Sequence, residues 1–206
     1  MKSQSLFIKG LFLIAIYALF MIIGCGRPSN TSLMQKGDYA MWQERWTDAA
    51  QNYIKATEQH PGEWEAQYKL GQCYLEMGDP IKASRALAIA ESIQPNDTQI
   101  ADLLATALME SGNNDGLYSF LQTRAKKMQT TRAWTKFAKF SMVINDPDTA
   151  VQAINMAIAL NTNNSSEPYI IAATFAEQLG DEGLAIMRWK KAWSMDSTNP
   201  LILDAL

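Results

Sequence analysis

The feature that most constrains this chain is an internal repeat whose period is the spacing from Gly37 to Gly71. Gly37, Ala49, Tyr53, Ala56 and Pro61 recur as Gly71, Ala83, Leu87, Ala90 and Pro95, with every spacing kept and one change, Tyr to Leu, among the residues. A period of this length belongs to supersecondary units that stack in one dimension, each covering the apolar face of the next. Glycine and alanine at fixed places let two helices approach closely, and an aromatic or leucine on the facing helix fills the gap they leave. Between these positions Ala, Leu, Met, Gln, Lys and Glu dominate, side chains that lose little entropy in a helix. The expectation is an all-α fold.

Three weaker copies follow. Leu104, Ala105, Leu108, Leu117 and Leu121 form the third; Trp134, Phe137, Ala138, Ala150, Ile154 and Ala157 the fourth; Tyr169, Ala172, Ala173, Ala176, Ala185, Trp189 and Ala192 the fifth. They carry Ala where the first two have Gly, and they lose the closing Pro. Turn signals agree with this division: Gly78-Asp79-Pro80 provides a helix stop, an N-cap and a first-turn proline, and Asp146-Pro147 and Gly180-Asp181 serve the same purpose later. Gly112 to Asp115 is expected to turn the third repeat.

The second repeat, with Leu70, Gly71, Tyr74, Ala83, Ala90 and Pro95, resembles the tetratricopeptide repeat (TPR) family. The resemblance implies a right-handed superhelical solenoid of about five helix-turn-helix repeats over residues 33–199, at about 30–63, 64–97, 98–130, 131–165 and 166–199. Pro200 and the apolar residues 201–206 would form a partial capping helix or a docking surface. Members of the family commonly bind proteins or peptides in a concave groove lined by the first helix of each repeat. Aligning the repeats places Met34, Asp38, Met41, Trp42, Glu65, Tyr68, Gln72, Leu75, Glu76, Gln99, Asp102, Thr106, Met109, Glu110, Arg132, Thr135, Lys139 and Met142 there, and later Ile170, Thr174 and Glu177. In the first three repeats these are acids with Met, Trp and Tyr and no Lys or Arg, which suits an apolar partner segment carrying basic residues.

The stretch from Met1 to Cys25 reads as an address. Lys2 and Lys9 precede an uninterrupted apolar run over residues 11–23, which ends at Gly24 and Cys25. Such a run spans about 20 Å as a helix against roughly 30 Å of hydrocarbon. Ile22-Ile23-Gly24-Cys25 resembles a bacterial lipobox, which implies a lipoprotein signal peptide at 1–24, diacylation of Cys25 and a polar tether over 25–32. The resemblance places the protein in the bacterial cell envelope, lipid-anchored by palmitate-type chains. No Asp follows the cysteine, which favours the outer membrane facing the periplasm over an inner-membrane anchor.

Charge and residue inventory exclude several function classes. The net charge is −3, and about −5 once the two N-terminal lysines are set aside, so nucleic acid is a poor ligand. Two cysteines and one histidine, His60, supply neither the number nor the spacing of a metal site, and Cys73 reads as a small buried hydrophobe. No phosphate loop or nucleophile elbow is present, so the chain reads as a non-enzyme without cofactor or small-molecule substrate. One local exception is the run Arg124, Lys126, Lys127, Arg132, Lys136 and Lys139, interleaved with Trp134 and Phe137 and containing no acid. It could meet anionic lipid or an acidic partner, or complement a helix C-terminus. The combined reading is a membrane-anchored adaptor that holds an envelope protein or peptide in its groove. Alternatives are a pilotin-like lipoprotein of type IV pilus secretins, an outer-membrane assembly component, or a peptidoglycan-active enzyme.

Overall fold

The computed structural model describes residues 30–205, and among them are eleven helices and no strand. They are α1 (Asn30–Trp42), α2 (Trp46–Gln59), α3 (Trp64–Glu76), α4 (Pro80–Ile93), α5 (Thr98–Glu110), α6 (Asn114–Met128), α7 (Thr131–Val143), α8 (Pro147–Ala159), α9 (Glu167–Gln178), α10 (Glu182–Trp193) and α11 (Pro200–Ala205). The expected signal peptide and Cys25 lie outside the described residues. Helix α1 already begins at Asn30, within the stretch 25–32 expected as a tether, and its Leu33 and Met34 are buried.

The helices pair as α1/α2, α3/α4, α5/α6, α7/α8 and α9/α10, and one register explains all five pairs. Gly37, Gly71, Ala105, Ala138 and Ala173 hold one position of the first helix, and Tyr53, Leu87, Leu121, Ile154 and Trp189 hold one position of the second. A methyl group added to Gly37 would lie 2.5 Å from Tyr53 Cε1, so the glycine is required by the ring that packs on it. Beyond the small residue, the turn of each pair takes a positive φ, at Glu44, Gly78, Gly112, Asn145 and Gly180. The residue after it caps the second helix wherever its side chain allows: Asp79, Asn113, Asp146 and Asp181 each accept a hydrogen bond from a backbone N–H of the first turn. Arg45 holds this place in the first pair and provides no such cap.

The chain forms two compact units, divided between Gln94 and Pro95. The first unit has a core of Leu33, Met34, Ala40, Ala49, Ala50, Tyr53, Ala56, Ala66, Leu70, Cys73 and Ala86, with Trp46 and Tyr74 packed at its margin. Burial pushes the Cys73 thiol up to about 11, which suits an inert side chain. In the second unit, the position held by Ala56, Ala90, Ala157 and Ala192 in the other pairs is Arg124. Its guanidinium donates to the carbonyls of Pro95 (2.7 Å) and Asp97 (3.1 Å), tying α6 to the start of α5. At the end of this unit α11 inserts Ile202, fully buried, among Ala173, Ala176, Ala185, Trp189 and Ala192. The last helix therefore covers apolar surface of the fifth pair.

Candidate partner-binding faces

In the first unit, α1 and α3 bring Asp38 and Glu65 together around a cation. Lys69 Nζ lies 2.7 Å from Asp38 Oδ1 and 3.1 Å from Glu65 Oε1. Asp38 also accepts a 2.7 Å hydrogen bond from the Tyr53 hydroxyl, which lies 3.6 Å from Met41 Sδ. Burial lowers the Lys69 ammonium's proton affinity, but its bonds to Asp38 and Glu65 outweigh that and hold it above the ordinary lysine value. Burial, reinforced by Asp38, raises the Tyr53 phenol likewise. Gln72 donates to the Tyr68 hydroxyl at 3.2 Å, and Glu76 stays exposed. The expectation of a cation-free acidic face is corrected here. Lys69 sits between two of its acids, and although it is almost a full repeat away from Asp38 in sequence, the two meet because α1 and α3 lie side by side.

Two further predicted groove residues are placed differently. Met34 is buried in the core, and Thr135, at the same repeat position, is buried as well. Tyr68, Asp102 and Ile170, which share that register, are half-buried, so this position faces its own array more than solvent. Trp42 remains 78% exposed and stacks on Tyr39, with ring centroids 6.2 Å apart.

In the second unit the inner face is a series of ion pairs. Asp102 on α5 accepts from Arg132 Nη2 at 2.7 Å and from Lys136 Nζ, both on α7. Lys139 on α7 meets Glu167 on α9 at 2.8 Å. The basic run at 124–139 is thus largely engaged within the fold, and Lys126 and Lys127 lie in the last turn of α6, where cations complement the helix dipole. The hydroxyls of Thr106 and Thr174 donate to carbonyls of their own helices, those of Asp102 and Ile170. Glu177, exposed, accepts a 2.7 Å hydrogen bond from the Trp189 indole N–H. Met109 and Glu110 are exposed at the end of α5, while Leu75 and Met142 are half-buried.

Beside the Lys139–Glu167 pair lies an apolar groove of about 610 Å³ between α7, α9 and α11. Met142, Val143, Ile170, Ile171, Thr174 and Leu201 form its walls. Val143 is 79% exposed and Leu201 64% exposed. Of the groove's lining, Lys139, Met142, Ile170 and Thr174 are predicted groove residues and Val143 is not, although Val143 holds the repeat position of Trp42, Glu76 and Glu110. Of the C-terminal turn, expected either to cap or to dock, Ile202 is buried in the core while the adjacent Leu201 lines the groove. Among the described residues no group of three or more His, Cys, Asp or Glu side chains could hold a metal ion, and no helix is long and apolar enough to cross a membrane.

Residues 40–107 match the tetratricopeptide repeat family. No curated protein matches the chain significantly in sequence. Among solved structures, a MamA protein is similar at 20% identity with a TM-score of 0.64, covering 82% of this chain and 92% of that one. YrrB, described as a TPR protein with an unusual peptide-binding site, is similar at 16% identity and a TM-score of 0.63 over 91% of this chain and 97% of its own. TTC0263, a thermophilic TPR protein of Thermus thermophilus, is similar at 16% identity and a TM-score of 0.55, covering 86% of this chain and 97% of that one. Each likeness is one of fold.

Proposed function

We propose that this chain, a tetratricopeptide-repeat protein, is a non-catalytic adaptor held at a bacterial envelope membrane by acylated Cys25, and that it binds a partner protein through its inner helix faces. The observation that carries this reading is the apolar groove bounded by Met142, Val143, Ile170 and Leu201 with the Lys139–Glu167 pair at its edge. Apolar walls beside a fixed pair of opposite charges suit a partner segment that inserts one or two apolar side chains and orients itself by polar contacts. Taken by itself, the face of the first unit, Glu76 with Asp38 and Glu65 around one lysine, suits basic residues of a partner. The peptide-binding site of YrrB, on a similar fold, supports a peptide or protein ligand over a small molecule. The lipobox-like Ile22-Ile23-Gly24-Cys25 supports the lipid anchor, and the absence of Asp after Cys25 supports the outer membrane, facing the periplasm, as the site of action.

The test is photo-crosslinking in the native envelope, with the crosslinking residue placed at Val143, at Gln72, or at Lys127 as a control. A partner trapped from position 143 and lost with Ile170→Ala and Leu201→Ala, at unchanged helicity, supports the groove. Crosslinks from position 72 alone would move the site to the first unit, and equal crosslinking from Lys127 would refute a defined inner-face site.

A further inference from the structure

The first helix pair carries a surface that the adaptor reading does not use. A cleft of about 500 Å³ between α1 and α2 is lined by Lys36, Tyr39, Arg45, Asp48 and Lys55. Three cations thus face one acid on a chain whose net charge is −3. Arg45 and Asp48 meet only at 3.7 Å, each more than half exposed, and among the described residues neither Lys36 nor Lys55 meets an acid. This differs from the run at 124–139, where Arg132, Lys136 and Lys139 are engaged by Asp102 and Glu167. Beside the cations, the Trp42 ring stacks on Tyr39, and both rings are mostly exposed.

We infer that this edge of the first repeat rests on a membrane surface, taking anionic phospholipid headgroups through Lys36, Arg45 and Lys55 with Tyr39 and Trp42 in the interfacial layer. The inference rests on the acylation of Cys25 proposed above. The chain from Cys25 to Asn30 is short, and fully extended it spans at most about 18 Å. Lys36 and Tyr39 lie in the second and third turns of α1, only about 9 to 14 Å further along the helix. Acylation would therefore keep Lys36 and Tyr39 within about 32 Å of the anchor, so that this edge can reach the headgroups. Basic residues there lower their energy in the negative surface potential, and indole and phenol rings prefer the boundary between hydrocarbon and water. A lipid chain with an adjacent basic patch is also the combination that turns an anchor into a defined seating on the surface.

The test uses the full acylated protein in phosphatidylethanolamine vesicles with and without phosphatidylglycerol. A fluorophore is placed by Gln35→Cys, in the cleft, or by Gln152→Cys, exposed on α8, and quenched by a headgroup-labelled lipid. Cys73 is buried and acylated Cys25 has no free thiol, so each variant takes one label. The expected result is quenching about threefold or more stronger at position 35 than at 152 on anionic vesicles, falling with added salt. Lys36→Gln, Arg45→Gln and Lys55→Gln together should remove the difference while helicity and vesicle association persist. Equal quenching at the two positions, or a difference indifferent to the triple substitution, overturns the seating and leaves the anchor intact. Labelling at Cys25 itself reveals a free thiol and overturns both readings.

Discussion

A methyl group placed on Gly71 would lie 2.5 Å from Leu87 Cγ and 2.8 Å from its Cδ2, so α3 and α4 touch where one residue has no side chain and the other fills the space. Gly71→Ala forces the two helices apart or Leu87 into a strained rotamer, at a cost of about 1–3 kcal/mol. Leu87→Ala alone leaves a cavity and costs about 2–5 kcal/mol. The double variant should cost clearly less than the sum, because the alanine methyl enters the space that Leu87 vacates. Urea unfolding of the four proteins checks this, and strict additivity would mean the two residues are not in the contact described.

The turns of the five helix pairs need a left-handed residue, and Glu44 supplies it at φ 58 where Gly78, Gly112 and Gly180 do so without strain. A side chain in that conformation costs roughly 1–2 kcal/mol, of which the greater chain entropy of unfolded glycine returns part. Glu44→Gly should therefore stabilise the first unit by about 0.5–1 kcal/mol, and Gly78→Ala should destabilise it by about 1 kcal/mol. Opposite signs in thermal melts of the two variants are the expected outcome.

The repeat register was legible in the sequence because it is built from local requirements: Gly37, Gly71 and their alanine counterparts, and caps such as Asp79 and Asp146, are fixed by one helix pair at a time. The inner face was legible only in part. Lys69 neutralises Asp38 from the neighbouring repeat, and nothing in the sequence around either residue announces the pairing. Met34 aligns with groove positions yet is buried, since its register faces the array and its apolar side chain has no reason to leave it. Leu201 and Ile202 are adjacent apolar residues with opposite fates, and only the place where α10 ends decides which of them enters the core.

Lys69 makes the electrostatics of the first unit testable. Its removal in Lys69→Met leaves Asp38 and Glu65 without their shared cation, though Asp38 keeps the Tyr53 hydroxyl. Because both acids are about half exposed, the loss of stability should be only about 0.5–1 kcal/mol and should shrink as salt is raised. A loss unchanged by molar salt would assign the effect to packing of the lysine stem instead.

The thiol of Cys73 links stability to alkaline pH. Its value rises from 9.0 to about 11 on folding through burial, so the native state holds the proton more tightly than the unfolded chain does. Stability from this group is complete below pH 9 and falls as pH climbs toward 11, by roughly 2–3 kcal/mol in all. The raised Tyr53 phenol adds a decline of the same sign beginning near pH 10. Cys73→Ala should flatten the fall between pH 9 and 11 in denaturant titrations, and an unchanged slope would mean that the thiol does not ionise on unfolding in that range.

Ile202 and Leu201 separate stability from binding at the C-terminal edge. Ile202 is fully buried against Ala173, Ala185 and Trp189, whereas Leu201 lines the groove with Met142 and Val143 and is mostly exposed. Removing a buried isoleucine costs about 2–5 kcal/mol, and because α11 is a single short terminal helix, Ile202→Ala should act by releasing that helix before the rest unfolds. Hydrogen exchange should then rise first in α11 and in the parts of α9 and α10 it covers. Leu201→Ala removes no core contact and should change stability by less than about 0.5 kcal/mol, yet it deletes one wall of the groove and should weaken capture of the partner about tenfold, the equivalent of about 1.4 kcal/mol. If Leu201→Ala instead unfolds α11 while Ile202→Ala is silent, the two residues have exchanged roles and the groove is not bounded by this helix.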